Sequence, residues 1–443
     1  MKKVFALALA LSMVLGLAAC GGGNSSSAGQ TGGSTSAGST SGADSTEITL
    51  WTYPIGSWGG SESKLDDIIA AFNAVHPEIT VKYETLDYQN GDNQVTSAIT
   101  SKGTPDIIME GPERLVSNWG ANNLMVDLSD LWADTKDDIS AASEAVVGAC
   151  QLDGKFYEYP LCMTTHSMAI NYEIFEQAGA LQYIDQETRT WTTDNFVKAM
   201  EAVRDSGLCP VPGIVYCGGQ GGDQGTRALV NNLYSGQYTD AAHTQYTANS
   251  AENVKGLELL KTMVDNKSLA ANAGFVASDE LQQFANGTAA VTFCWNASNK
   301  AQYAAQTTFT PYAMAFPSDD GVPELCGGIW GFGVFNNGDD AKIEAAKTFI
   351  KFVCDDPSQA AESVRLTGFF PTRASLGDVY AGTDKADQMG EFSVMMPYLG
   401  DYYNVTGNWT AQRQNWFNML QQVLVNGTPA QQAADDFVAA SNP

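Results

Sequence analysis

Between residues 48 and 119 the chain passes three times from a strand-like to a helix-like pattern, and that alternation restricts the fold more than any other feature. Ile48-Thr49-Leu50-Trp51-Thr52-Tyr53 is dense in β-branched and aromatic residues and reads as a strand. A loop over 54–60 follows. Leu65, Ile68, Ile69 and Phe72 then fall at helical spacing behind Ser63 as a cap, and Pro77 stops that helix. Residues 79–84 form a second strand and 95–101 a second helix. Residues 106–109 form a short buried strand after Gly103 and Pro105, and 115–119 start a third helix. This β-α-β-α-β-α order implies a parallel sheet flanked by helices. Ligands of such sheets sit beyond the carboxyl ends of the strands. Residues 53–58 and 110–114 therefore share one mouth. The same α/β character continues, with helices over 195–204 (behind Thr192 and Thr193), 251–264, 341–353, 416–425 and 430–440, and strands over 289–293 and 331–335.

A chain of 443 residues exceeds one compact core, so two domains are expected. With 50 Asp and Glu against 23 Lys and Arg, the net charge is −27. Such a surface repels phosphate backbones and anionic lipid, which argues against nucleic acid as a partner. The first residues are of another kind. Lys2 and Lys3 precede an uncharged apolar run over 5–17, too short to span a bilayer, which reads as a secretory signal over 1–19. It ends in Leu17-Ala18-Ala19-Cys20, which resembles the bacterial lipobox, in which the Cys becomes the lipidated N-terminus. Residues 21–46 are almost wholly Gly, Ser, Thr and Ala and read as a flexible tether. A lipid on Cys20 would then be the sole membrane contact of a body held outside the cell.

Cys20 aside, the thiols are Cys150, Cys162, Cys209, Cys217, Cys294, Cys326 and Cys354, an odd set. Cys209 and Cys217 flank a Pro/Gly-rich loop, and both a disulfide between them and buried reduced thiols are open. There is no C-x-x-C pair, and His76, His166 and His243 are scattered, so no structural zinc is expected. The 218–222 run is glycine-rich but lacks the Lys-Ser/Thr of a P-loop. The 87–92 run offers oxygen ligands without the twelve-residue calcium pattern. No G-x-S-x-G elbow or H-E-x-x-H helix is present. No metal, cofactor or catalytic residue is expected. The rival reading is a glycoside hydrolase working with two carboxylates, but fifty acidic residues make some pair inevitable.

Several pieces occur in an order that resembles one family. They are Phe72-(x4)-Pro77-(x)-Ile79-(x)-Val81; Gly103-Thr104-Pro105-Asp106-Ile107-Ile108; Asp153-Gly154-Lys155-Phe156-Tyr157-(x2)-Pro160; Phe175-(x2)-Ala178-Gly179 with Trp191-Thr192; Gly327-Gly328 with Ala346-(x2)-Phe349-Ile350-Lys351-Phe352; and Gly368-(x2)-Pro371-Thr372-Arg373. The chain resembles the carbohydrate-type extracellular solute-binding lipoproteins of ABC importers, the maltose-binding-protein-like family, from about residue 47 to the end. The resemblance implies a two-lobed α/β clamshell of the periplasmic-binding-protein type, each lobe a sheet flanked by helices. The first lobe would take 47–163 and 328–366, and the second 164–327 and 367–443. It implies a monomeric non-enzyme that carries a carbohydrate to the permease subunits. The same fold with a cationic amine as cargo is the alternative.

A sugar offers an apolar ring face to aromatic side chains and a hydroxyl rim to carboxylates, amides and Arg. Tyr53 and Trp58 lie after the first strand, and Glu110, Glu113 and Arg114 after the third. Thr165 and His166, with Thr164, sit where the chain first crosses lobes, and there the acidic residue of the maltose-binding pattern is missing. The resemblance makes Trp295 the leading stacking residue, behind Gly287-Thr288-Ala289-Ala290-Val291. Trp330 follows the Gly-Gly crossing, Arg373 closes the Pro-Thr-Arg turn, and Trp409 and Arg413 lie one helical turn apart. Trp416 is expected in the core and Asp106 in a structural role.

Overall fold

The computed structural model describes residues 45–60, 63–87, 90–219, 222–241, 243–400 and 409–442, without the side chains of 409–411. The signal, Cys20 and most of the tether lie outside the described residues.

The first three strands form where their β-branched runs lie: β1 (Thr46–Thr52), β2 (Ile79–Thr85) and β3 (Ile107–Glu110). β1 pairs in parallel with both neighbours, Ile48 opposite Val81 and Leu50 opposite Ile107. The buried Asp106 carboxylate pins the register. It accepts from the Thr49 amide at 2.8 Å and hydroxyl at 2.9 Å, and pairs with Lys342 at 3.3 Å. Two crossover helices, α1 (Leu65–Val75) and α2 (Gly91–Ser101), connect these strands. α1 buries Leu65, Ile68 and Phe72, the face its spacing requires. Ser63 Oγ accepts from the Leu65 amide at 3.1 Å.

Six further strands complete two sheets: β4 (Tyr159–Thr165), β5 (Ser167–Asn171), β6 (Val291–Trp295), β7 (Pro311–Met314), β8 (Gly327–Val334) and β9 (Phe370–Pro371). The first sheet runs β9-β4-β8-β3-β1-β2. It is mixed, because β8 lies antiparallel to both β3 and β4. The all-parallel expectation holds only for the βαβ crossovers. β4 and β8 enter by long excursions that leave direction free. The second sheet, β6-β5-β7, is antiparallel. Helices flank both sheets, which gives the two-lobed α/β clamshell. α5 (Asp340–Asp355) lies on the first sheet, with Phe349 edge-on to Phe72 at 5.1 Å. α3 (Gln224–Asn232), α4 (Ala277–Ala285) and α6 (Trp409–Leu420) belong to the second lobe, where Trp416 Nε1 donates to Thr226 Oγ1 at 2.9 Å.

The crossings between lobes are narrow. His166 alone separates β4 from β5, and its amide donates to the carbonyl of Cys326, the residue before β8, at 2.7 Å. Two crossing strands are thus clasped side by side. β9 pairs with β4, which places residues 370–371 in the first sheet.

Two local expectations change. Residues 112–120 form a short helical turn, Pro112–Arg114, and a widened turn, Leu115–Gly120, instead of a regular helix. The helix expected from 416 begins at Trp409 and widens over Gln421–Val425. Of the two readings left open for Cys209 and Cys217, the structure has free thiols, which donate to the carbonyls of Val211 and Val215. Among the described residues no helix is long and apolar enough to cross a membrane.

Candidate functional site: a charged seam at the lobe crossing

The first wall grows from the carboxyl end of β3. Glu110 ends the strand and Gly111 follows it. A Cβ on Gly111 would lie 2.3 Å from Glu113 Oε2, so a side chain there would push that carboxylate aside. Arg114 joins two acids, donating through Nη2 to Asp92 Oδ2 at 2.6 Å and through Nη1 to Glu110 Oε1 at 3.2 Å. Tyr53 donates to Asp92 Oδ1 at 3.4 Å and meets Trp330 edge-to-face at 6.2 Å. Glu158, just ahead of β4, is fully buried, and among the described residues neither of its oxygens has a hydrogen-bond partner. Its Oε1 lies over Gly331, where a Cβ would be 2.7 Å away. Burial raises the Glu110 pKa to about 7 against the opposing pull of Arg114. Burial likewise raises Glu113, and it raises Glu158 with help from Glu113 and Glu110.

The second wall is built on Asp223, buried just ahead of α3. Its carboxylate pairs with Arg227 Nε at 2.8 Å and with Arg413 Nε, from α6, at 3.0 Å. The Arg227 guanidinium lies over the Tyr238 ring at 4.6 Å. Burial works to raise the Asp223 pKa, but the two guanidiniums outweigh it and hold the carboxyl below its ordinary value. α3 sits close against β6, since a Cβ on Gly225 would lie 1.8 Å from the Phe293 carbonyl oxygen. Glu113 of the first wall feels the charges of Arg227 and Arg413, so the seam spans both lobes. At the crossing, burial lowers the His166 pKa to about 4, with Arg227 adding to it and Asp223 opposing, which leaves a neutral ring near pH 7. His166 Nδ1 and Thr165 Oγ1 are buried without hydrogen-bond partners among the described residues.

The structure therefore brings Tyr53, Glu110, Glu113, Arg114, Thr165, His166, Trp330 and Arg413 to one seam. Others lie elsewhere. Trp58 is wholly buried in the first lobe, donating to Thr52 Oγ1 at 2.9 Å beside Phe332. Arg373 is held inside the same lobe by Asp355 at 2.7 Å and the Pro160 carbonyl at 2.7 Å. Trp295 ends β6 instead of following it. Its ring is fully buried edge-on to Phe284 at 5.4 Å, and its Nε1 has no hydrogen-bond partner among the described residues. The Trp409 side chain lies outside the described residues. Asp92, Glu158, Asp223 and Arg227 were missed. Asp223-(x3)-Arg227 was legible as a helical ion pair directly behind the glycine-rich loop. A surface cavity of about 280 Å³ touches the seam through Tyr238. Among the described residues no three His, Cys, Asp or Glu side chains are grouped to hold a metal ion.

Known structures share this architecture. The sugar-binding protein MalE from Xanthomonas citri matches with a TM-score of 0.71 at 16% identity, over 90% of this chain and 96% of its own. The cyclic alpha-maltosyl-1,6-maltose binding protein from Arthrobacter globiformis matches with a TM-score of 0.70 at 18% identity, over 90% and 98%. An ABC transporter solute binding protein from Thermotoga lettingae, bound with α-D-tagatose, gives 0.70 at 14% identity, over 90% and 99%. At these identities the likeness is one of fold. The sequence itself matches the model of the bacterial extracellular solute-binding proteins over residues 67–391, and the chain belongs to that family.

Proposed function

We propose that the protein captures a sugar or oligosaccharide between its lobes and delivers it to the permease of an ABC importer. In this reading it works as a monomer, tethered outside the membrane by lipid on Cys20, and catalyses no reaction. The observation that carries the sugar reading is the composition of the seam. Aromatic rings (Tyr53, Trp330) stand beside carboxylates and guanidiniums contributed from both lobes. Apolar sugar faces stack on such rings, and hydroxyls bond to such charges. Buried polar atoms on Thr165 and His166, without hydrogen-bond partners among the described residues, are costly unless something bonds to them, and ligand hydroxyls supply those bonds. The sugars named for two of the similar structures, and the sugar-binding description of the third, support the reading. Trp409, one turn from Arg413, joins the proposal as a further stacking residue. A ligand that touches both walls does so only when the lobes are closed, so binding favours closure.

A thermal-shift screen of the purified protein against mono- and oligosaccharides, polyamines and amino acids tests this. A ligand in excess of its Kd raises apparent stability by RT ln(1 + [L]/Kd). A raised Tm with a sugar is expected. Shifts with polyamines and with no sugar would defeat the carbohydrate reading, and turnover of a glycoside would defeat the transport one.

A further inference from the structure

The seam carries more acid than base. On the first wall Asp92, Glu110, Glu113 and Glu158 stand against one guanidinium, Arg114, which Asp92 and Glu110 already share. On the second wall one carboxylate, Asp223, lies between Arg227 and Arg413. Fully ionised, acids outnumber bases even after the walls meet. A uronic acid would deepen that imbalance, and a neutral sugar would leave it unchanged.

Glu158 gives the imbalance a location. It is 0% exposed and receives no hydrogen bond among the described residues. Gly331 leaves it room to reach over β8, and Gly331 is the antiparallel partner of Glu110. The Glu158 carboxyl thus comes to the end of β3, where Glu110 and Glu113 stand. A buried carboxyl in that position either keeps its proton or meets a cation. A sugar hydroxyl brings one donor and no charge, whereas an ammonium group brings three N–H donors and a positive charge.

We propose that the site takes an amine-bearing sugar, its ammonium group paired with the Glu158 carboxyl at the end of β3 and its hydroxyls facing the second wall. The inference rests on the sugar reading above and narrows its substrate class. It also predicts a proton signature. Glu110 holds its proton to about pH 7, and burial raises Glu113 and Glu158 too. Glu110 faces Arg114, Glu113, Asp92 and Tyr53. Glu113 faces Arg114, Arg227 and Arg413. Glu158 faces Glu113 and Glu110, with the thiols of Cys150 and Cys162 beside it. An ammonium ion favours the ionised carboxylates, so its binding expels protons to the buffer.

The test is titration calorimetry on the purified full-length chain, near pH 6.5, in two buffers of different ionisation heat. The probes are glucosamine and glucose, α- and β-linked disaccharides in matched amine and hydroxyl forms, and the corresponding uronic acids. An amine member should bind at least about tenfold more tightly than its hydroxyl partner, the ratio expected of one charge-assisted hydrogen bond, and should release protons. Glu158→Gln should shrink that ratio. If that variant fails to fold, Glu113→Gln should shrink it. Equal or tighter binding of a hydroxyl or uronic member, or amine binding without proton release, overturns the amine proposal and leaves the sugar reading standing. Binding of no sugar at all overturns both.

Discussion

Asp223 is the residue on which the second wall turns. It lies between two guanidiniums, with Arg227 at 2.8 Å and Arg413 at 3.0 Å, and is fully buried. Breaking a buried ion pair from one side leaves an uncompensated charge, which costs more than the pair itself contributes. Asp223→Ala removes the buried carboxylate that two guanidiniums share and is expected to destabilise the fold by about 3–5 kcal/mol in urea unfolding. A loss below about 1 kcal/mol would show the cluster to be well solvated. Sequence reasoning ranked aromatic residues above this carboxylate, because a stacking shelf is conspicuous by residue type. Whether a Trp is a shelf or a core residue depends on what packs over it. Trp58 and Trp295 are both fully buried, against Phe332 and Phe284.

At the scale of elements, β6 is fastened to α4 by one carboxylate. Glu280 accepts from Thr292 Oγ1 at 2.7 Å and from the Phe293 amide at 3.0 Å. This locks the strand that ends in Trp295. Burial raises the Glu280 pKa to about 8, outweighing the two hydrogen bonds that pull it down. The folded state keeps this proton where the unfolded chain has lost it. The stability contribution is therefore complete below the ordinary carboxyl range, near pH 4.5, and is lost as pH rises through about 8. Glu280→Gln removes the titration. The stability difference, wild type minus variant, should fall steadily between pH 5 and 8 in urea titrations. A difference flat with pH would refute the raised value. Subtraction is needed because Glu110 titrates in the same direction and His166 in the opposite one. The existence of β6 was legible in its apolar run. Its end was misplaced by two residues, since Cys294 and Trp295 join the strand only through pairing with β5.

At the scale of the molecule, the walls face each other with charges of opposite sign, whose attraction is expected to draw them together. Glu113 belongs to the first lobe and feels Arg227 and Arg413 of the second. Glu113→Gln weakens that attraction. The variant should show a larger radius of gyration in small-angle scattering, and a bound ligand should shrink it again. An unchanged radius in both states would mean that the hinge is set by the crossing strands alone. The net charge of −27 sets the whole surface against phosphate backbones but does not describe this seam, where among the described residues three guanidiniums meet five carboxylates from separate parts of the chain.

The sequence by itself determined the elements and their order. Periodicity, caps and Pro/Gly breaks act over a few residues, so β1, α1, β2, β3, α5 and the C-terminal helices lie near where their patterns place them. It also carried the family, through short pieces repeated in order. The tertiary structure alone decided the strand directions at β4 and β8, the attachment of β9 to the first sheet, and the pairing of Asp223 with Arg413. Those features join residues far apart in the chain. Local propensity carries no information about which distant segment will bury a given face, or which distant charge will share its burial.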